Sequence, residues 1–295
     1  MNESEELKNK VEKWINSEGI PLEYFTSSCF MNSGFKVLQS DFVEENGIPR
    51  EIDVNASLDF QLSETLLRIQ CTIECKWTKD KPWIVFTSST ANMAESANIA
   101  QTLGNKVGSS LLWHIAGEAD LNALDLFSRK QSSGFSGRQA LTKDSDLFYS
   151  TTQAITNKTI LKLNEYDRFM SNDPFGLVAI GFPIIVIDGV LFESHFKNGK
   201  VEIVQVNNSI IHWRGSSKWK LHTTINIVTK THLLEWVKKF RQELDLIIKT
   251  SMPALENLKS VYNERNSRLL NHKHAPRGYV GLPPFLNEIL KNFES

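Results

Sequence analysis

The sequence predicts an α/β fold: a mixed central sheet flanked by helices, with a helical appendage at the C-terminal end. Three observations point there. Apolar runs of period two follow one another three times between residues 35 and 77, the pattern of consecutive strands. A long helical pattern separates them from two more strand-rich runs, residues 176–193 and 200–213, and this order indicates helices packed on a sheet. Beyond the last strand pattern, THLLEWVKKFRQELDLIIK is a strongly amphipathic helix.

In ESEELKNKVEKWINS, residues 3–17, Leu7, Val11, Trp14 and Ile15 fall on one helical stripe, and Gly19 ends it. Pro21 has the fixed φ that suits a first helical turn. PLEYFTSSCFMNSG is therefore a second helix, with Leu22, Phe25, Cys29 and Phe30 as its apolar face and Gly34 at its end. The strands FKVLQSDFV, EIDVNASLDF and TLLRIQCTIECKW follow, the first two joined through an Asn46-Gly47 turn. Residues 88–108 are rich in Ser, Ala and Asn and suit a helix start, and LLWHIAG reads as a further buried segment. QSSGFSGR, residues 131–138, reads as a flexible loop by composition. DSDLFYSTTQAITNKTILKLNEY is a long helix with an Asp or Ser cap. After the amphipathic helix the tail is polar apart from LPPF, and no repeat of solenoid period occurs.

With 33 Lys+Arg against 34 Asp+Glu, a net charge of −1 and 41% hydrophobic residues in 295, the chain is neither a polybasic tail protein nor an acidic disordered one. Cys29, Cys71 and Cys75 are odd in number and form no framework, so reduced core cysteines in a cytoplasmic protein are expected. The start MNESEELKNK is polar and acidic, unlike a secretory signal. Gly176 to Ile187 is the longest apolar stretch; Pro183 breaks it, and it falls short of the roughly 20 residues a membrane span needs.

Chemistry enters with RIQCTIECKW. Side chains alternate faces along a strand, so Gln70, Thr72, Glu74 and Lys76 project together while Ile69, Cys71, Ile73 and Cys75 fill the other face. A carboxylate and an ammonium on so apolar a strand need a partner or a metal. The preceding strand carries Glu51, Asp53 and Asn55 on one face, so Asp53 and Glu74 can converge across neighbouring strands. Two such acids make a hard-oxygen site suited to Mg²⁺, and a nearby lysine can orient or deprotonate water and offset phosphorane charge. Without metal the two charges crowd one another, and removing Glu74 is expected to leave the fold intact. Glu-x-Lys alone is unspecific: Glu6-Leu7-Lys8 repeats it on a charged helix face.

Pro21-Leu22-Glu23, Gly34-Phe35, Glu51-Ile52-Asp53, Glu74-Cys75-Lys76 and Lys81-Pro82-Trp83, in that order, resemble the PD-(D/E)XK nuclease superfamily and its uncharacterised bacterial members. The match covers residues 20–90, and the later elements only in their order. Ile52 stands where the motif has Pro. The resemblance implies a restriction-endonuclease-like core over residues 1–230 with a helical appendage, 231–295, packed on it. It implies Mg²⁺ or Mn²⁺ held by Asp53, Glu74 and the carbonyl of Cys75, with Lys76 as the catalytic lysine and Glu23 as an accessory acid. It also implies a DNA substrate and a role in bacterial defence or DNA repair. A chain this close to neutral then needs a protein partner, a homo-oligomer or a local basic groove to reach DNA. A catalytically idle nuclease-like domain, serving in DNA binding or protein interaction, is the alternative.

Weaker candidates lie elsewhere. Glu51 reads as an ion-pair partner of Arg50 or Lys76 rather than a ligand. Arg138, Gln139, Gln153 and Lys158 are each more typical of surface residues than of phosphate contacts. Arg265, Arg268, His272, Lys273, His274 and Arg277 form a locally basic run that suits a DNA backbone, with no further ligand to make the histidines a zinc site. Trp77 and Trp83 read as core or sheet-edge residues.

Overall fold

Gly19 and Pro21 divide the N-terminal segment into α1 (Glu3–Ser17) and α2 (Ile20–Asn32), with Pro21 in the first turn of α2, where its missing N–H costs nothing. This computed structural model describes residues 3–78, 81–88, 95–127, 133–142, 147–169, 172–214, 222–270 and 283–293. On α2 the buried face is Leu22, Thr26, Cys29 and Phe30, while the expected Phe25 is 38% exposed. The stripe of α1 points away from the core, and Leu7, Val11 and Trp14 are all exposed.

The three expected strands form as β1 (Lys36–Glu45), β2 (Ile48–Leu62) and β3 (Thr65–Trp77), joined antiparallel. They are followed by β4 (Trp83–Ser88), the short helix α3 (Glu95–Ala100), β5 (Leu103–Gly104), α4 (Lys106–Ile115) and α5 (Ala119–Asn122). The buried LLWHIAG segment is therefore helical, started by Asn105, whose side chain accepts the Gly108 N–H. Next come β6 (Ser133–Gln139) and α6 (Leu147–Phe169). The Asp and Ser expected to cap α6 lie outside the described residues.

The chain continues through β7 (Leu177–Asp188), β8 (Leu191–Lys197), β9 (Lys200–Val206), β10 (Asn208–Arg214) and β11 (His222–Thr229), then α7 (Leu233–Glu264) and α8 (Pro284–Phe293). The described strands make one mixed sheet in the order β1-β2-β3-β7-β11-β10-β6-β4-β8-β9, with β5 added on β7. β7 lies parallel between β3 and β11 at its centre. The α/β class, the large mixed sheet flanked by helices and the C-terminal helix are thus as expected. No helix among the described residues is long and apolar enough to cross a membrane.

β4 and β11 carry no strand expectation from the sequence, and three expected segments take another form. The glycine-serine segment is strand β6, because its glycines serve close packing rather than flexibility. A Cβ at Gly134 would lie 2.5 Å from the Val85 side chain, and one at Gly137 would lie 2.2 Å from the Phe148 ring. Pro183 does not break its run either. β5 pairs β7 at Ile180 and Gly181, and β11 joins only from Ile184, so Pro183 sits in the gap where no N–H is needed on that side. The amphipathic helix runs past residue 249 and through Pro253, since its buried stripe continues with Ser251, Ala254, Leu255, Leu258 and Val261.

The two faces of the sheet differ in chemistry. On one, Cys71, Ile73, Phe182 and Val186 pack with Phe30 of α2, Leu112 of α4 and Phe240 of α7 in the main core. The other face of β3 carries Gln70, Thr72, Glu74 and Lys76, and α6 packs there. All three cysteines are free and buried.

Candidate active site

The turn at Ser63-Glu64 sets the register of the β2–β3 hairpin, in which Asn55 pairs with Thr72 and Val54 with Ile73. Counting one step further puts Asp53 opposite Glu74 on the face that α6 covers. The ladder ends at that step: β2 goes on with β1 alone, and β3 with β7. At this fork the Cys75 N–H, freed from β2 backbone, donates instead to Asp53 Oδ2 at 2.7 Å.

Two like charges facing across a strand pair repel, so cations must be near. Lys76 Nζ lies 2.6 Å from Glu74 Oε1 and 4.0 Å from Asp53 Oδ2. From α6, Lys158 Nζ lies 2.6 Å from Glu74 Oε2. Each oxygen of Glu74 thus has its own ammonium, in a setting where the Glu74 side chain is 8% exposed and that of Lys158 13%.

Burial pushes the Asp53 carboxyl above its usual range, and Glu74 opposite pushes it the same way. Glu23, in the first turn of α2, is raised to about 7, first by burial and then by Asp53 and Glu51. Burial pulls on the Lys76 ammonium in the opposite sense, but Glu74 and Asp53 more than reverse it, so Lys76 holds its proton more firmly than a free lysine. A lysine so held stabilises charge and orients water; it is a poor base.

The sequence reading is met unevenly. Asp53, Glu74 and Lys76 converge, and Glu23 is within electrostatic reach of all three. Cys75 turns its thiol away, onto Thr26 Oγ1 at 3.5 Å, which leaves only its backbone for the site. Glu51 is exposed and makes neither expected ion pair, because Arg50 binds Glu45 at 2.8 Å and Lys76 binds Glu74. Lys158, expected at the surface, is the correction of most consequence. Gln153 is exposed on α6, while Arg138 and Gln139 lie on β6, four strand steps or roughly 20 Å from β3. Trp83 is buried against Phe148, and Trp77 is 41% exposed at the end of β3. Of the basic C-terminal run, Arg265 and Arg268 follow α7; His272, Lys273, His274 and Arg277 lie outside the described residues.

A polar ladder between α6 and the sheet also escaped the sequence reading. Lys162 Nζ lies 2.9 Å from Asp41, and Tyr166 donates its hydroxyl to Gln70 Oε1 at 2.5 Å. Asn55 links the two, accepting from Gln70 and donating to Asp41. Arg68 continues the ladder over the Tyr166 ring and binds Asp59 through two hydrogen bonds of 2.7 and 2.8 Å. The signal was present as Lys158, Lys162 and Tyr166 at four-residue spacing on one side of a helix.

Among the described residues no group of three His, Cys, Asp or Glu side chains is placed to hold a metal together. Asp53 and Glu74 are two carboxylates, and Mg²⁺ takes one or two and completes its shell with water and substrate oxygens. The crowding that raises Asp53 and Glu23 is what a divalent cation would relieve, so the donor set fits a hard cation.

No family model matches this chain, and neither a curated protein nor a solved structure matches it.

Proposed function

We propose that the protein is a cytoplasmic, metal-dependent nuclease with a restriction-endonuclease-like core and a PD-(D/E)XK-type site, hydrolysing phosphodiester bonds in DNA. The observation that carries this reading is the opposition of Asp53 and Glu74 at the strand fork with one ammonium, Lys76, 4.0 Å from an Asp53 oxygen and 2.6 Å from a Glu74 oxygen. Asp53 and Glu74 would hold Mg²⁺ or Mn²⁺, with the Cys75 carbonyl at hand, and the ion would supply activation of water and neutralisation of phosphate charge. Lys76 orients the attacking water and stabilises negative charge developing on the phosphorus oxygens. Glu23, within electrostatic reach of Asp53, Glu74 and Lys76, would serve as an accessory acid beside the metal or its water.

A second reading has its own observation: both oxygens of Glu74 are already paired with lysines, as in a closed ion-pair network. On that reading the domain binds DNA or protein without cutting. Incubation of the purified protein with plasmid and linear DNA separates the two. Cleavage should need Mn²⁺ or Mg²⁺ and stop in EDTA, and Lys76→Ala should lower turnover by about 10² to 10⁴. Cleavage undiminished by EDTA removes the metal, and no cleavage under any divalent ion leaves the binding reading.

A further inference from the structure

At the fork, Asp53 and Glu74 meet two ammonium groups, those of Lys76 and Lys158. The two lysines reach Glu74 differently. Lys76 leaves the same strand two residues on and also faces Asp53 at 4.0 Å, so it keeps a carboxylate if Glu74 takes another ligand. Lys158 comes from a separate element, lies 2.6 Å from Glu74 Oε2 and is 13% exposed. The other contacts of α6 hold it in place, with Lys162 on Asp41 and Tyr166 on Gln70 one and two turns further along. The Lys158 ammonium is thus delivered to Glu74 by an anchored helix and does not arrive there by side-chain wandering.

We infer that Lys158 is the resident counter-ion of Glu74: it occupies the carboxylate oxygen that a divalent cation would use, keeps the acids assembled when no cation is bound, and lowers the affinity of the site for the cation. This rests on the metal-site reading above and adds a positioning residue to it. The site is then selective by competition, since an ion binds only if it offers Glu74 more than a buried ammonium does. Monovalent ions do not meet that condition. Small divalent ions do.

The test is calorimetric titration of MnCl₂ into metal-stripped, DNA-free protein. Lys158→Met removes the charge and keeps the bulk of the side chain, and it should bind Mn²⁺ at least about tenfold more tightly than wild type, because cation repulsion near Glu74 is gone. Lys158→Gln keeps a donor for Glu74 and guards against a Met variant that fails to fold; it should show the same gain. Lys259→Met removes an ammonium paired with Glu64 at the far turn of the same hairpin and should leave Mn²⁺ affinity unchanged. A purely structural role for Lys158 would lower stability without tightening Mn²⁺ binding. If wild type cleaves DNA with Mn²⁺ and the folded Lys158 variants bind the ion no more tightly than it does, this inference alone is overturned. If wild type binds no Mn²⁺, both this inference and the metal-site reading fall.

Discussion

Asp53 has two duties that two substitutions can part. Its Oδ2 accepts the Cys75 N–H at 2.7 Å, and its charge faces Glu74 across the fork. Asp53→Asn keeps a carbonyl oxygen as acceptor and deletes the charge; Asp53→Ala deletes both. The Asn acceptor is neutral, and an orphaned buried donor costs about 1 to 3 kcal/mol. Asp53→Ala should therefore unfold in urea with about 1 to 3 kcal/mol less stability than Asp53→Asn. In EDTA, Asp53→Asn should be at least as stable as wild type, because burial and Glu74 both oppose the ionised acid it replaces. Both variants should lose cleavage and Mn²⁺ binding together. Urea denaturation in EDTA with parallel Mn²⁺ titration measures each quantity. Equal, large losses of stability in the two variants would refute the reasoning, since the charge and not the acceptor would then hold the fork.

Two further outcomes follow from the same geometry. Glu74→Gln removes the carboxylate shared by Lys76 and Lys158 and leaves Lys158 a buried charge without it, so urea denaturation should show a loss of about 3 to 5 kcal/mol, and an unchanged midpoint would remove the ion pairs from the stability of the site. This reverses the expectation from sequence that removing Glu74 would leave the fold intact. For Glu23 the raised carboxyl means that the stability it supplies is complete below its unfolded value near 4.5 and is lost as pH rises through about 7. In EDTA the wild-type Tm should fall across that window more steeply than that of Glu23→Gln, and parallel curves would show that Glu23 does not titrate there.

The hairpin was legible because it depends on local rules. Period two put Ile69, Cys71 and Ile73 on one face, and all three are fully buried. The same rule put Glu74 and Lys76 opposite them, and a two-residue turn between Leu62 and Thr65 then fixes Asp53 against Glu74. Other elements were hidden because their cause lies in distant residues. Gly134 and Gly137 look like loop residues until Val85 and Phe148 are packed against them. Pro183 looks like a strand breaker until the gap between β5 and β11 is known. Lys158 reads as a surface lysine because its partner lies 84 residues away, on a strand that α6 meets only in the folded sheet.

The fork between β2 and β3 leaves the separation of the two acids outside the control of the sheet. Below Val54 and Ile73 the backbone ladder would resist any change in strand spacing; above them, the Cys75 N–H on Asp53 and the Lys76 ammonium span the opening. Spreading or narrowing that opening therefore breaks no β2–β3 ladder bond. The Cys75 N–H on Asp53, and not the pleat, spans the distance between the two strands there. On the proposed reading, cations of different radius would be met there without breaking that ladder.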